Sequence, residues 1–215
     1  MSRAGAADVA VEVVGWFMVM RGIVGGGAGR RHCSEICQAS ARQGGGRSGR
    51  IRALAPFRPT TMSLSIRPAQ AADHAPLEAL QRRASLGNAG DRGFLLQHPE
   101  LIALPPEHIS DGRVFLAESG PGGPLLGFAT LLSCEDDALA LELEALFVEP
   151  SAWRRGVGRA LLDHGCRVAR GAGARSLRVL GNGHAESFYR RCGFEVLGHQ
   201  AMRFGTALQM RLNLV

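Results

Sequence analysis

From residue 63 onward, apolar and polar positions recur with periods that lay out a chain of strands and helices. In "SLSIRPAQAADHAPLEALQRRASL", the alternation at Leu64 and Ile66 predicts a strand. A helix follows, with Asp73 placed to cap it and Leu77, Leu80 and Ala84 on one face. "LGNAGDRG" reads as a loop, and the apolar residues 94–104 predict a short helix before Pro105 and Pro106. "RVFLAES" and "LLGFATLLS" are strands joined by the hairpin signature "GPGGP", and "LALELEALFV" is a third. Residues 156–170 repeat at helical spacing, with Val157, Ala160, Leu161, Val168 and Ala169 on a shared face. "LRVLG" is a strand, "AESFYRRCGF" a helix stopped by Gly193, and "EVLGHQAMRF" and "LQMRLNL" are closing strands. This order is neither a repeat nor a doubly wound pattern. It predicts a mixed α/β sheet with a strand–turn–helix at its middle.

Residues 1–62 have a different texture. "GIVGGGAGRR", "RQGGGRSGR" and "APFRPTT" lack either period, and such a segment buries too little apolar surface to offset its ordering entropy. A disordered Gly/Arg-rich leader is expected there, with the folded domain at 63–215. The arginines also suit a transit segment, but glycine dominates where an amphipathic helix is needed.

Charge sharpens this division. The net charge is +6, and residues 1–62 hold nine Arg against Asp8, Glu12 and Glu35, so the whole excess lies in the leader. The body is balanced, with no basic field for a phosphate backbone, and no nucleic-acid partner is expected for it. An RNA-binding role is confined to the leader. Lysine is absent, which excludes a Walker-type phosphate loop. "VAVEVVGWFMVM" is shorter than the roughly 18 residues of a membrane span and carries Glu12, so no membrane partner is expected. The five scattered cysteines fit a reducing, cytoplasmic setting, and without CxxC or HExxH no metal site is expected.

Three stretches carry candidate chemistry. In "VEPSAWRRGVGRALL", a strand leads through a short turn into a helix. The first N–H groups of a helix lack intrahelical partners and lie at the positive end of its dipole. Gly156 and Gly158 lack a Cβ, so an anion such as a pyrophosphate can approach; a plain tight turn needs the glycines only for their dihedrals. In "LELEALFV", Leu141 and Leu143 face one side and Glu142 and Glu144 the other. An extra residue near Ala145 would return Leu146 and Val148 to the apolar face, which predicts a β-bulge. In "GNGHAESFYRRCGF", Asn182 ends a strand and can cap a helix. Ala185, Phe188 and Cys192 form a stripe, and Tyr189, the one tyrosine of the chain, adjoins it. A tyrosine so placed is a core residue with a satisfied hydroxyl or a proton donor.

"LEALFVEPSAWRRGVGRALLDHG" followed by "LRVLGNGHAESFYRRCGF" resembles the GNAT superfamily of acetyl-CoA-dependent N-acetyltransferases, over about Ser63–Val215. The resemblance implies a mixed, mostly antiparallel central sheet with a splayed, bulged strand and flanking helices. It implies acetyl-CoA as co-substrate, an amine acceptor and no metal. The family's pyrophosphate turn reads [Q/R]xxGxG/A; Gly156 and Gly158 match it, while Trp153 stands where Gln or Arg is usual. Coenzyme contacts are implied for Arg154, Arg155, Gly156, Val157, Gly158, Arg159 and Ala160, for the backbone of Leu146, Phe147 and Val148, and for Asn182. Tyr189 matches the usual general acid, and Glu142 or Glu144 falls where a carboxylate base is common. A non-catalytic acyl-CoA-binding module is the other reading of the same residues. Acceptor choice is expected from the loops around Leu86–Pro106 and Arg203–Leu208, and exposed terminal strands suit a homodimer.

A chain starting at Met62 is expected to match the full-length protein in thermal midpoint and acetyl-CoA affinity. A large loss of either on truncation would reject the domain boundary.

Overall fold

The alternation at Leu64 and Ile66 becomes the edge strand of a seven-stranded sheet in the computed structural model, which describes residues 63–87, 89–202 and 205–215. For Ala89, Gly90, Met202 and Gly205 it describes the backbone alone. The expectations for the leader lie outside the described residues, as does part of the Arg203–Leu208 segment. In chain order the strands are β1 (Leu64–Pro68), β2 (Val114–Ser119), β3 (Leu125–Ser133), β4 (Ala140–Val148), β5 (Ser176–Gly181), β6 (Glu195–Met202) and β7 (Gly205–Asn213). They lie in the order β1-β2-β3-β4-β5-β7-β6. Every neighbouring pair is antiparallel except β4–β5, which is parallel. The helices are α1 (His74–Leu86), α2 (Ala89–Gln97), α3 (Pro106–Ser110), α4 (Val157–Gly171) and α5 (Glu186–Arg191).

Each face of the sheet closes a separate core. On one, α4 and α5 bury Val157, Leu161, Ala169, Phe188 and Tyr189 against Leu143, Leu146 and Val148 of β4. On the other, Leu77, Leu80 and Ala84 of α1 and Ile109 of α3 pack on Phe128, Ala145 and Phe147. The expected bulge is present: Thr130 opposes Ala145 and Leu131 opposes Leu143, so Glu144 is the extra residue. The odd-numbered apolar face of early β4 thereby becomes the even-numbered face of its end, as the side-chain pattern requires.

Three local expectations differ. Residues 86–93 are not all loop, because α2 begins at Ala89 and runs through them. Asp91 in its first turn favours the positive helix end, and Leu95 docks with Leu101 and Ile102; this packing outweighs two glycines. The helix expected within 94–104 is correspondingly displaced, and α3 forms after it with Pro106 in its first turn. Asp73 precedes α1 but does not cap it with its side chain. A 3-10 turn at Ala71–Asp73 turns its carboxylate back to the Gln70 N–H (2.7 Å) and the Arg67 guanidinium (2.7 Å). Arg67 holds the Asp73 carboxyl below the usual range, and it also binds the buried Glu118 (2.8 Å).

Gly127 fixes how closely β3 and β4 approach. A Cβ there would stand 2.6 Å from the Phe147 carbonyl oxygen, a backbone atom that cannot turn aside. Gly127→Ala is expected to cost about 1–3 kcal/mol in chemical denaturation. Wild-type stability in that variant would show that the strand pair has room to move.

Candidate functional site

β4 and β5 share only three register pairs, from Ala140–Ser176 to Glu142–Arg178. Beyond them β4 runs on to Val148 and β5 to Gly181 without pairing to each other. Alternate residues of a strand turn their N–H and C=O to opposite neighbours. The Glu149 N–H donates to the Leu126 carbonyl (2.8 Å), and the Phe147 carbonyl lies against Gly127. Phe147 therefore spends its carbonyl on the β3 side, whereas Leu146 and Val148 turn their backbone groups into the gap. Buried backbone polar groups require partners, and along this gap a neighbouring strand does not supply them.

The Val148 carbonyl is already engaged: the Trp153 indole N–H donates to it at 2.8 Å. The same indole lies against Gly87 at the end of α1, where a Cβ would meet it at 2.8 Å. Arg83 of α1 binds Glu149 (2.8 Å), a second tie between α1 and the end of β4. Trp153 thus anchors the turn to the strand.

The turn itself uses its two glycines differently. Gly156 has φ +81°, left-handed backbone that favours glycine, and nothing lies within 4 Å of its would-be Cβ. Gly158 is buried, and a Cβ there would lie 3.6 Å from both Val148 and Phe188. A side chain of one carbon would therefore make only ordinary contact with β4 and α5 there. The first intrahelical bond runs from the Ala160 N–H to the Gly156 carbonyl (3.0 Å), leaving the N–H groups of Val157, Gly158 and Arg159 without intrahelical partners by position. Arg154, at φ +61°, and Arg155 are exposed beside them. Arg159 is turned to Asp163 (2.9 Å).

Across the gap, Asn182 follows β5. Its side-chain oxygen accepts from the Ala185 N–H (2.9 Å), as a cap, while its amide nitrogen is buried without a hydrogen bond. Tyr189 is 2% exposed, with its ring edge-on to Phe188 and Phe194 and against Gly181. Burial pushes its pKa well up, so the hydroxyl keeps its proton throughout the neutral range.

On the α1 face, Glu142 and Glu144 are both buried. Glu142 is in register with Arg178 and, through it, with Arg211. Glu144, the bulge residue, has an oxygen 3.4 Å from Nδ1 of His108 on α3. Sequence reasoning missed His108, because α3 is too short to show a period. Gln81 of α1 and Thr130 of β3 are buried on the same side. Among the described residues, no group of three or more His, Cys, Asp or Glu could hold a metal ion, and no helix is long and apolar enough to cross a membrane.

Residues 110–196 match the family model described as acetyltransferase (GNAT) domain. Among solved structures, the protein yncA from Salmonella typhimurium, with its cofactor acetyl-CoA, is 21% identical; the match covers 71% of this chain and 95% of that one at a TM-score of 0.52. The PaiA N-acetyltransferase of Thermoplasma acidophilum, in complex with coenzyme A, is 20% identical, covering 71% and 99% at 0.56. A GNAT-family protein of Desulfovibrio desulfuricans is 17% identical, covering 71% and 100% at 0.56. At these identities the likeness is one of fold, and it extends over nearly the whole of each neighbour. No curated protein matches the sequence.

The Trp153 anchor has a measurable consequence. Trp153→Phe keeps an aromatic ring near Gly87 but removes the donor to the Val148 carbonyl. It is expected to lower stability by about 1–2 kcal/mol in thermal denaturation, and Trp153→Ala by more. An unchanged midpoint in the Phe variant would show that the indole hydrogen bond contributes nothing to the turn.

Proposed function

We propose, from the match of residues 110–196 to a GNAT acetyltransferase domain and the shared fold, that this chain moves the acetyl group of acetyl-CoA directly to a primary amine. The observation that carries this reading is the parting of β4 and β5 after Glu142 and Arg178, beside the N-terminus of α4. A pyrophosphate fits the first-turn N–H groups of α4, with Arg154 and Arg155 at hand. A pantetheine amide chain is a strip of donors and acceptors, which suits the backbone of Leu146 and Val148. The orphaned Asn182 amide supplies one more donor on the opposite wall.

The chemistry then needs three roles. A strand N–H at Val148 is aimed to polarise the thioester carbonyl, and a fixed donor costs no reorganisation when charge develops on oxygen. A carboxylate of β4 takes the acceptor's proton. Glu144 suits this better than Glu142, because it is the bulge residue, whereas Glu142 stands where β4 still pairs with β5. Tyr189, kept protonated by burial, gives its proton to the departing thiolate. The acceptor is an amine whose ammonium form is drawn to two buried carboxylates.

The test is an acetylation screen over amino acids, polyamines, aminoglycosides and peptides, read as thiol release, followed by Tyr189→Phe on the best acceptor. General acid catalysis contributes roughly 10²–10⁴ in rate, so kcat is expected to fall within that range. Acetyl-CoA affinity and the melting temperature should hold. Full turnover in the Phe variant removes Tyr189 from the mechanism. Tight acetyl-CoA binding without turnover on any amine would favour the acyl-CoA-binding module instead.

A further inference from the structure

The base must lose its proton again after each turnover, and Glu144 is buried. Among others, it is met from across the α1 face by His108, whose Nδ1 stands 3.4 Å from a Glu144 oxygen. That separation is long for a hydrogen bond, as unliganded catalytic contacts often are. Both side chains are largely enclosed, at 15% and 6% exposure, yet His108 keeps the more accessible position. The pair joins β4 at its bulge to α3, the short helix that follows the chain's loop-rich segment. We propose that His108 is the positioning and proton-relay residue for Glu144, taking from it the proton that Glu144 removes from the acceptor ammonium. This rests on the reading of Glu144 as the base.

The balance closes without a further reagent. The acceptor ammonium gives one proton to the Glu144 carboxylate and becomes the attacking amine. Glu144 passes that proton to Nδ1 of neutral His108, returning to carboxylate. The imidazolium then releases a proton from Nε2 to solvent, and proton exchange with solvent returns the ring to the Nε2–H tautomer, with Nδ1 open for the next turnover.

The surroundings keep His108 in the receiving state. Burial lowers its pKa most, and Arg113 lowers it further, while Glu107 and Asp111 pull the other way. Of the remaining charged groups on elements against α3, Asp73 is bound by Arg67, and Glu144 is the partner itself. His108 is therefore neutral above its lowered pKa and charged below it, so the relay runs on the alkaline side and stalls on the acid side.

The test uses the full chain with the best acceptor from the screen. Asparagine places an amide near the position of Nδ1 and cannot relay. His108→Asn is expected to lower kcat/KM about 10²-fold, to shift the acid limb of the pH profile, and to leave acetyl-CoA affinity unchanged. In the resting wild-type protein, the His108 imidazole is followed by NMR titration, assigned by its loss in His108→Asn. Glu144→Gln should shift that titration to lower pH, because a carboxylate no longer favours the charged ring. Three results are distinguishable. A wild-type rate in Glu144→Gln overturns the base reading and the relay with it. A slow Glu144→Gln beside a His108→Asn of wild-type rate and pH profile overturns the relay alone. A His108 titration indifferent to Glu144→Gln overturns the pairing, whatever the activity.

Discussion

The divergence of β4 from β5 is the constraint from which the rest follows. Three register pairs hold the strands together at one end, and none holds them at the other. A sheet normally satisfies its backbone by pairing, so a parted pair is tolerable only where something else meets the exposed N–H and C=O groups. Trp153 meets one of them, the Val148 carbonyl. The turn that carries Trp153 is also the turn that starts α4, so closing the strand's end and placing a helix N-terminus at the gap are one structural event. Gly158, in the first turn of α4, lies beside Val148 and Phe188.

The bulge at Glu144 serves the same divergence from the other side. Without it, Leu146 and Val148 would face α1, and the α4 core would lose two of its β4 contacts. With it, the apolar face is restored, and one carboxylate is pushed toward α3. Local irregularity in a strand thus settles both the packing of the sheet and the position of a candidate base.

Much of this was legible in the residues. The failure of alternation in "LELEALFV" located the bulge, because a buried face cannot change parity for free. The glycine spacing marked the helix start, and the order of strands and helices carried through to the sheet. What was not legible lay where tertiary contacts outweigh local signals. Two glycines argued against α2, yet Leu95 found Leu101 and Ile102. His108 gave no signal, since a helix of five residues has no period to read and its partner is thirty-six positions away.

The two faces of the sheet differ in what they can bury. The α4 face is apolar almost throughout, whereas the α1 face encloses Gln81, Thr130, Glu142 and Glu144 beside its hydrophobic cluster. Burying carboxylates costs free energy unless partners compensate, and replacing such groups with apolar ones of similar shape is often neutral or stabilising. A purely structural sheet would have no reason to keep them on one side only. They are concentrated on the α1 and α3 side, the side that carries the proposed base. The proposed function assigns the two sides accordingly: the co-substrate to the backbone and helix dipole on the α4 side, and the acceptor's proton to the α1 side.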